Sequence, residues 1–148
     1  MEVAASAITL ASLAAGTCHA LAELRAICKS LPGRLHALNN EVADLELVLF
    51  QVATTFRERS HHIPEDQAEA IPRLLDQATD KLIELKLSVE RFAKACDRTK
   101  VSIIQANIWR REQPKLTAIQ QVLKTIKCSL NIVLGASNSY ETLFHIVF

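Results

Sequence analysis

The strongest constraint in this sequence is an apolar stripe that recurs every 3.5 residues. Leu31, Leu35, Leu38, Val42, Leu45, Leu49, Val52 and Phe56 follow one another at alternating spacings of 4 and 3. Ile71, Leu75, Ala78, Leu82, Leu85, Val89, Phe92 and Cys96 repeat the pattern, and Leu116, Ile119, Leu123, Ile126, Leu130 and Val133 carry a third run. A weaker run precedes them through Leu10, Leu13, Thr17, Ala20, Leu24 and Ile27. A strand cannot hold such a stripe on one face, because its side chains alternate; a helix can. A 3.5-residue period further directs near-parallel, left-handed helix packing. Leu47, Val48, Phe50, Leu74 and Leu87 flank the stripes and widen them into the broad faces of a globular bundle. The predicted fold is all-α, a four- to five-helix bundle with coiled-coil-like packing. Three glycines and four prolines in 148 residues agree, since an all-β chain needs turn residues every ~10 positions.

Helix breakers set the expected boundaries. Pro32-Gly33 closes the first helix near Lys29 and opens the second near Arg34. The second runs to about Arg59. Residues 60–70, with His61, His62 and Pro64, read as a loop with at most one helical turn. The third helix is expected from Pro72, a favoured first-turn position, to at least Cys96. It either continues to Arg111 or breaks at residues 97–100 to leave a short fourth helix. The last helix is expected from Pro114 to Leu134, with Gly135 as its C-cap. Residues 1–135 then form the bundle, and residues 136–148 a separate tail. Within that tail, Leu143, Phe144, His145, Ile146, Val147 and Phe148 are uncharged and β-favouring. Such a run either covers an apolar groove or is prone to aggregate.

Cys18, Cys28, Cys96 and Cys128 form no CxxC pair, and each falls within a helical pattern, where a free thiol acts as a small apolar side chain. The only early charge is Glu2, which does not suit the basic start of a signal peptide. A reduced, cytoplasmic setting is expected. Residues 3–22 nevertheless lack any Asp, Glu, Lys or Arg. As a helix they would reach ~30 Å, the thickness of a bilayer's hydrocarbon core. Three readings fit this Ala- and Ser-rich stretch: a transmembrane span, a bundle helix, or a helix packed in one state and inserted in another. The spacings Ser12 to Gly16 and Ala11 to Ala15 suit close helix contact in protein or lipid alike.

Residue chemistry argues against an enzyme. No nucleotide-binding, hydrolase or zinc-protease fingerprint is present. His61-His62 sits in a polar loop where solvation is the default. Cys18 and His19 are neighbours, so on a helix they point ~100° apart and cannot act as nucleophile and base. No cofactor or metal is expected.

Charge divides the chain. Residues 1–85 carry 7 Lys/Arg against 12 Asp/Glu, and residues 86–148 carry 10 against 4. The basic half could pair internally with the acidic helices, or it could meet anionic lipid, where each nearby cation is worth about 1 kcal/mol. Arg98, Lys100, Arg110, Arg111 and Lys115 are the candidate lipid contacts, with Trp109 suited to a headgroup interface. One aromatic among the basic residues and no reader motif argue against nucleic acid.

The uncharged N-terminal helix, the segment LHALNNEVADLELVL at 35–49 and the block IWRREQPKLTAIQQVLKTIKCSLNIVL at 108–134 together resemble a fungal family. These are the HeLo-like N-terminal domains of STAND (NLR-like) proteins, also seen in azaphilone pigment cluster proteins. The resemblance spans about residues 1–135. It implies an effector bundle of a cell-death or incompatibility protein, coupled to a partner signalling domain. Such a bundle oligomerises with itself and releases its N-terminal helix into the plasma membrane. The implied inserting segment is residues 3–22, with Val3, Ile8, Leu10, Leu13, Gly16 and Leu21 as candidates. The alternative is a non-lytic helical interaction module, for which the unbroken heptads are suited.

Overall fold

Among the described residues, thirty-three apolar side chains share one core cluster, and the positions of the heptad stripes account for most of it. The structure, a computed structural model, describes residues 2–28, 32–58, 65–98 and 102–147. These form α1 (Glu2–Ile27), α2 (Pro32–Glu58), α3 (Glu65–Arg98) and α4 (Ser102–Val147), an all-α bundle. Every stripe residue of α2, α3 and α4 within the described part is buried; Leu31 lies outside it. Large aliphatic side chains at the stripe positions gain about 1.5–3 kcal/mol each on burial, which fixes the inward faces.

Among the described residues, α1 packs on α2 and α3, and α4 packs on the same two, while α1 does not touch α4 and α2 does not touch α3. The helices therefore occupy the corners of a square, with α2 and α3, consecutive in the chain, on a diagonal. Contacts give the directions. Cys18 reaches the Asn39 carbonyl, so α1 and α2 run antiparallel. Phe92 packs on Trp109 and the Gln105 amide donates to the Cys96 carbonyl, so α3 and α4 are antiparallel. Gly16 lies beside Lys86, and Cys28 beside Cys96, which makes α1 and α3 parallel. An ion pair ties the parallel helices α2 and α4. Lys127 Nζ stands 2.7 Å from Glu41 Oε1 and 3.7 Å from Asp44 Oδ2. Glu41 and Lys127 are mostly buried, at 13% and 18% side-chain exposure. The pair raises the Lys127 pKa, chiefly through the hydrogen bond to Glu41.

Several boundaries differ from expectation, for physical reasons. α3 begins at Glu65 rather than Pro72, with Glu65 and Asp66 in its first turn, where acids offset the helix dipole. Pro72 lies inside α3 and Pro114 inside α4. Both are exposed, so the carbonyls they leave unpaired, at Ala68 and Arg110, are not sealed in the core. α3 ends at Arg98, and the next described helix is the long α4 rather than a short fourth element. Gly135 does not cap α4. No glycine has a positive φ, so the left-handed turn that ends a helix is absent there. Helix continues to Val147, and residues 136–147 are an extension of α4 rather than a tail folded over a groove. At 46 residues α4 is ~69 Å long, against ~40 Å for α2.

Candidate functional site

The N-terminal segment and the basic cluster are the two elements singled out from the sequence, and the fold places them apart. α1 is held differently from its neighbours. Its buried positions are Ala4, Ala7, Leu10, Ala11, Ala14, Thr17, Leu21 and Leu24. The expected stripe through Leu13, Ala20 and Ile27 is thus rotated: Leu13 and Ala20 are half-buried and Ile27 is exposed. Alanine defines the packed face because it lets helix backbones approach closely. The Thr17 hydroxyl donates to the Leu13 carbonyl at 2.9 Å, which satisfies the one buried polar side chain on this face.

Energetically this face is lopsided. In the first four turns, four of the five fully packed side chains are single methyl groups, each worth about 0.8 kcal/mol of burial. Leu21 and Leu24 anchor the last turns. The N-terminal half of α1 is therefore the most weakly held stretch in the core. Of the candidate inserting residues, Leu10 and Leu21 are buried, Val3, Leu13 and Gly16 are half-buried, and Ile8 is exposed at 36%. Gly16 is not demanded by crowding, since an added Cβ would only reach ordinary contact with Lys86 Nζ at 3.7 Å. Val3–Ile27 has a mean hydropathy of 1.4 over its most apolar window, of which 33% is buried, so it is long and apolar enough to cross a membrane. A helix at the core of a soluble bundle passes the same test.

The basic residues gather toward the opposite end. Cys28 sits beside Cys96, so the end of α1 is level with Arg98. Trp109 packs on Phe92, which puts Arg110 and Arg111 near the same level. Val3 is 25 residues before Cys28, about 37 Å along the axis. Arg91, Lys94, Arg98, Arg110, Arg111 and Lys115 are all exposed. Among the described residues, none of them is ion-paired to the acidic helices, whereas Lys127 is. The internal-pairing reading thus holds for Lys127 and leaves a free cationic surface on α3 and α4. Trp109 is not part of it. Its ring is 9% exposed and meets Phe92 at 5.7 Å between centroids, tilted by 59°. It belongs to the core beside a cleft of about 180 Å³ lined by Leu38, Gln113 and Leu116. Lys100 lies outside the described residues.

The remaining polar groups offer little chemistry. His19 turns outward to Glu23 at 3.1 Å, away from the Cys18 thiol, which faces α2. Burial pushes the Cys18 thiol up, and the nearby Glu46 charge adds to this. Among the described residues no three His, Cys, Asp or Glu side chains gather as metal ligands; His61 and His62 lie outside them. Apolar exposure is the other feature that sequence reasoning did not locate. Leu47 is 62% exposed and Phe50 46%. They flank a shallow groove of about 450 Å³ that runs along α2 to Leu134. Their places beside the α2 stripe hinted at burial, but α4 reaches this side of α2 only at Asp44 and at the rim of the groove, through Lys127 and Leu134.

No family model matches the chain, and neither a curated protein nor a solved structure matches it.

Proposed function

We propose that this chain is a non-enzymatic effector bundle of the HeLo-like, fungal NLR type, which self-associates and acts on membranes through α1. The observation that carries this is the mismatch within α1: apolar enough to span a bilayer, yet attached over its first four turns mainly by alanine methyls. Such a helix loses little protein packing when it leaves, and its small side chains pack equally well against other helices in lipid. The exposed cations on α3 and α4 supply the attraction to anionic headgroups. Because they lie between about 20 Å (Lys115) and about 37 Å (Arg98) along the axis from Val3, docking and insertion are separate steps. A bundle seated on its basic end holds the N-terminus of α1 away from the surface, and α1 must swing out to enter it.

The test is dye release from anionic and neutral liposomes by the full chain and by Leu13→Glu. A central acid costs an inserted helix about 3 kcal/mol, whereas Leu13 is only half-buried in the bundle, so folding tolerates the change. Release by the parent and none by the folded variant supports the reading. Equal release by both refutes it.

A second reading, a non-lytic interaction module, is favoured by the Leu47 and Phe50 groove, an apolar surface left uncovered on the bundle. Concentration-dependent oligomers without lipid, abolished by Leu47→Glu together with Phe50→Glu, are its expected signature.

A further inference from the structure

Two of the four cysteines meet in the core, and neither the fold nor the membrane reading uses them. Cys28 follows directly on α1, Cys96 stands near the end of α3, and both are buried, at 1% and 0% exposure. The register that sets Gly16 beside Lys86 carries α1 onward to the last turns of α3, where the two buried thiols are neighbours. Cys18 and Cys128 lie elsewhere, one facing α2 and the other exposed on α4.

We propose that Cys28 and Cys96 are a disulfide-forming pair that latches the C-terminal end of α1 onto α3. The inference rests on the proposed release of α1 only for its consequence; the bond itself does not depend on it. A low-molecular-weight disulfide such as oxidised glutathione is the oxidant. The Cys28 thiolate attacks one of its sulfurs, and the first glutathione leaves as a thiolate and is protonated. The Cys96 thiolate then attacks the Cys28 sulfur of the mixed disulfide and expels the second glutathione. Two protein thiols are oxidised, and one glutathione disulfide is reduced to two thiols.

Position decides the order of attack. Cys28 is held by a terminal helical hydrogen bond, its N–H donating to the Leu24 carbonyl at 2.8 Å, and the end of a helix opens most readily. Cys96 is fully buried within the last turn of α3. Burial, with the hydrogen bond and charge of Cys28 adding to it, pushes its thiol up to about 12, so it is inert until a mixed disulfide forms against it. Oxidation is therefore slow and intramolecular. Reduction returns α1 to its unlatched state.

The experiment uses the full chain carrying Cys18→Ser and Cys128→Ser, equilibrated with mixtures of reduced and oxidised glutathione. Intact-mass spectrometry and peptide mapping read the product. Loss of two hydrogens with a Cys28–Cys96 cross-linked peptide, reversed by dithiothreitol, is expected. Adding Cys96→Ala is expected to trap a Cys28–glutathione adduct. Persistent glutathione adducts on the two-thiol chain, disulfide-linked dimers, or thiols left unreacted after equilibration would overturn the proposal. Hydrogen exchange of residues 18–27 in the oxidised form is expected to slow on the order of thirtyfold, in line with a native disulfide. Cross-linking is read without lipid, so its failure and a failure of membrane insertion are separate results.

Discussion

Replacing Ala11 with leucine tests the idea that α1 is the weakly held element. Ala11 is fully buried on the close-packed face of α1, and leucine adds three carbons at that packed position. Overpacking of this kind costs about 1–3 kcal/mol. The strain is relieved if α1 alone moves off, since the methyls of Ala4, Ala7 and Ala14 offer little to hold it. At 1.4 kcal/mol per decade, local opening of α1 is expected to rise between about 5- and 150-fold. Native-state hydrogen exchange read by mass spectrometry reports it peptide by peptide. Residues 3–17 are expected to exchange faster, while the core of α3 around Leu82 and Leu85 keeps its protection. Ala15→Leu, on the exposed face, is the control and leaves exchange unchanged. An equal acceleration in all four helices would mean that α1 opens only by global unfolding. That outcome would refute the weak attachment of α1.

Other expectations follow from single contacts. Lys127→Met leaves Glu41 without its partner and is expected to cost about 1.5–3 kcal/mol in urea unfolding, the worth of a charge-assisted bond. The Lys127 pKa is raised in the fold, so its contribution is complete below the ordinary 10.5 and is lost as pH rises through the higher folded value; the variant's stability is expected to be flatter above pH 10. Phe92→Ala removes the ring that covers Trp109 and is expected to cost about 3–5 kcal/mol, with a red shift in the emission of the single tryptophan. Arg110→Glu with Arg111→Glu is expected to weaken sedimentation with anionic vesicles by at least the ~2 kcal/mol that two cations supply, with no loss of melting temperature.

The stripes of α2, α3 and α4 were legible because Leu, Ile, Val and Phe contrast sharply with the polar residues around them. α1 was harder. Its packed face is written in Ala4, Ala7, Ala11 and Ala14, which differ little in hydropathy from the exposed Ala5, Ala15 and Ala22, so the larger Leu13 and Ile27 drew the predicted stripe off line. Pro72, Pro114 and Gly135 were read as punctuation, but a proline on a solvent face only forfeits one bond, and a glycine ends a helix only where the backbone turns left-handed. The separation of Val3 from the basic cluster was not legible at all. It follows from α1 and α3 running parallel, which depends on α2 and α3 lying across a diagonal, and no local pattern encodes that.

The most direct test of the central claim puts a single tryptophan on α1, as Ile8→Trp with Trp109→Phe, and presents the chain to anionic liposomes whose acyl chains carry bromine. Ile8 faces solvent in the bundle. Emission is expected to shift to the blue and be quenched by the brominated chains, more strongly when Ala11→Leu is added. Liposome-bound protein whose tryptophan stays solvent-like and unquenched, even with Ala11→Leu, would show that α1 does not enter the membrane.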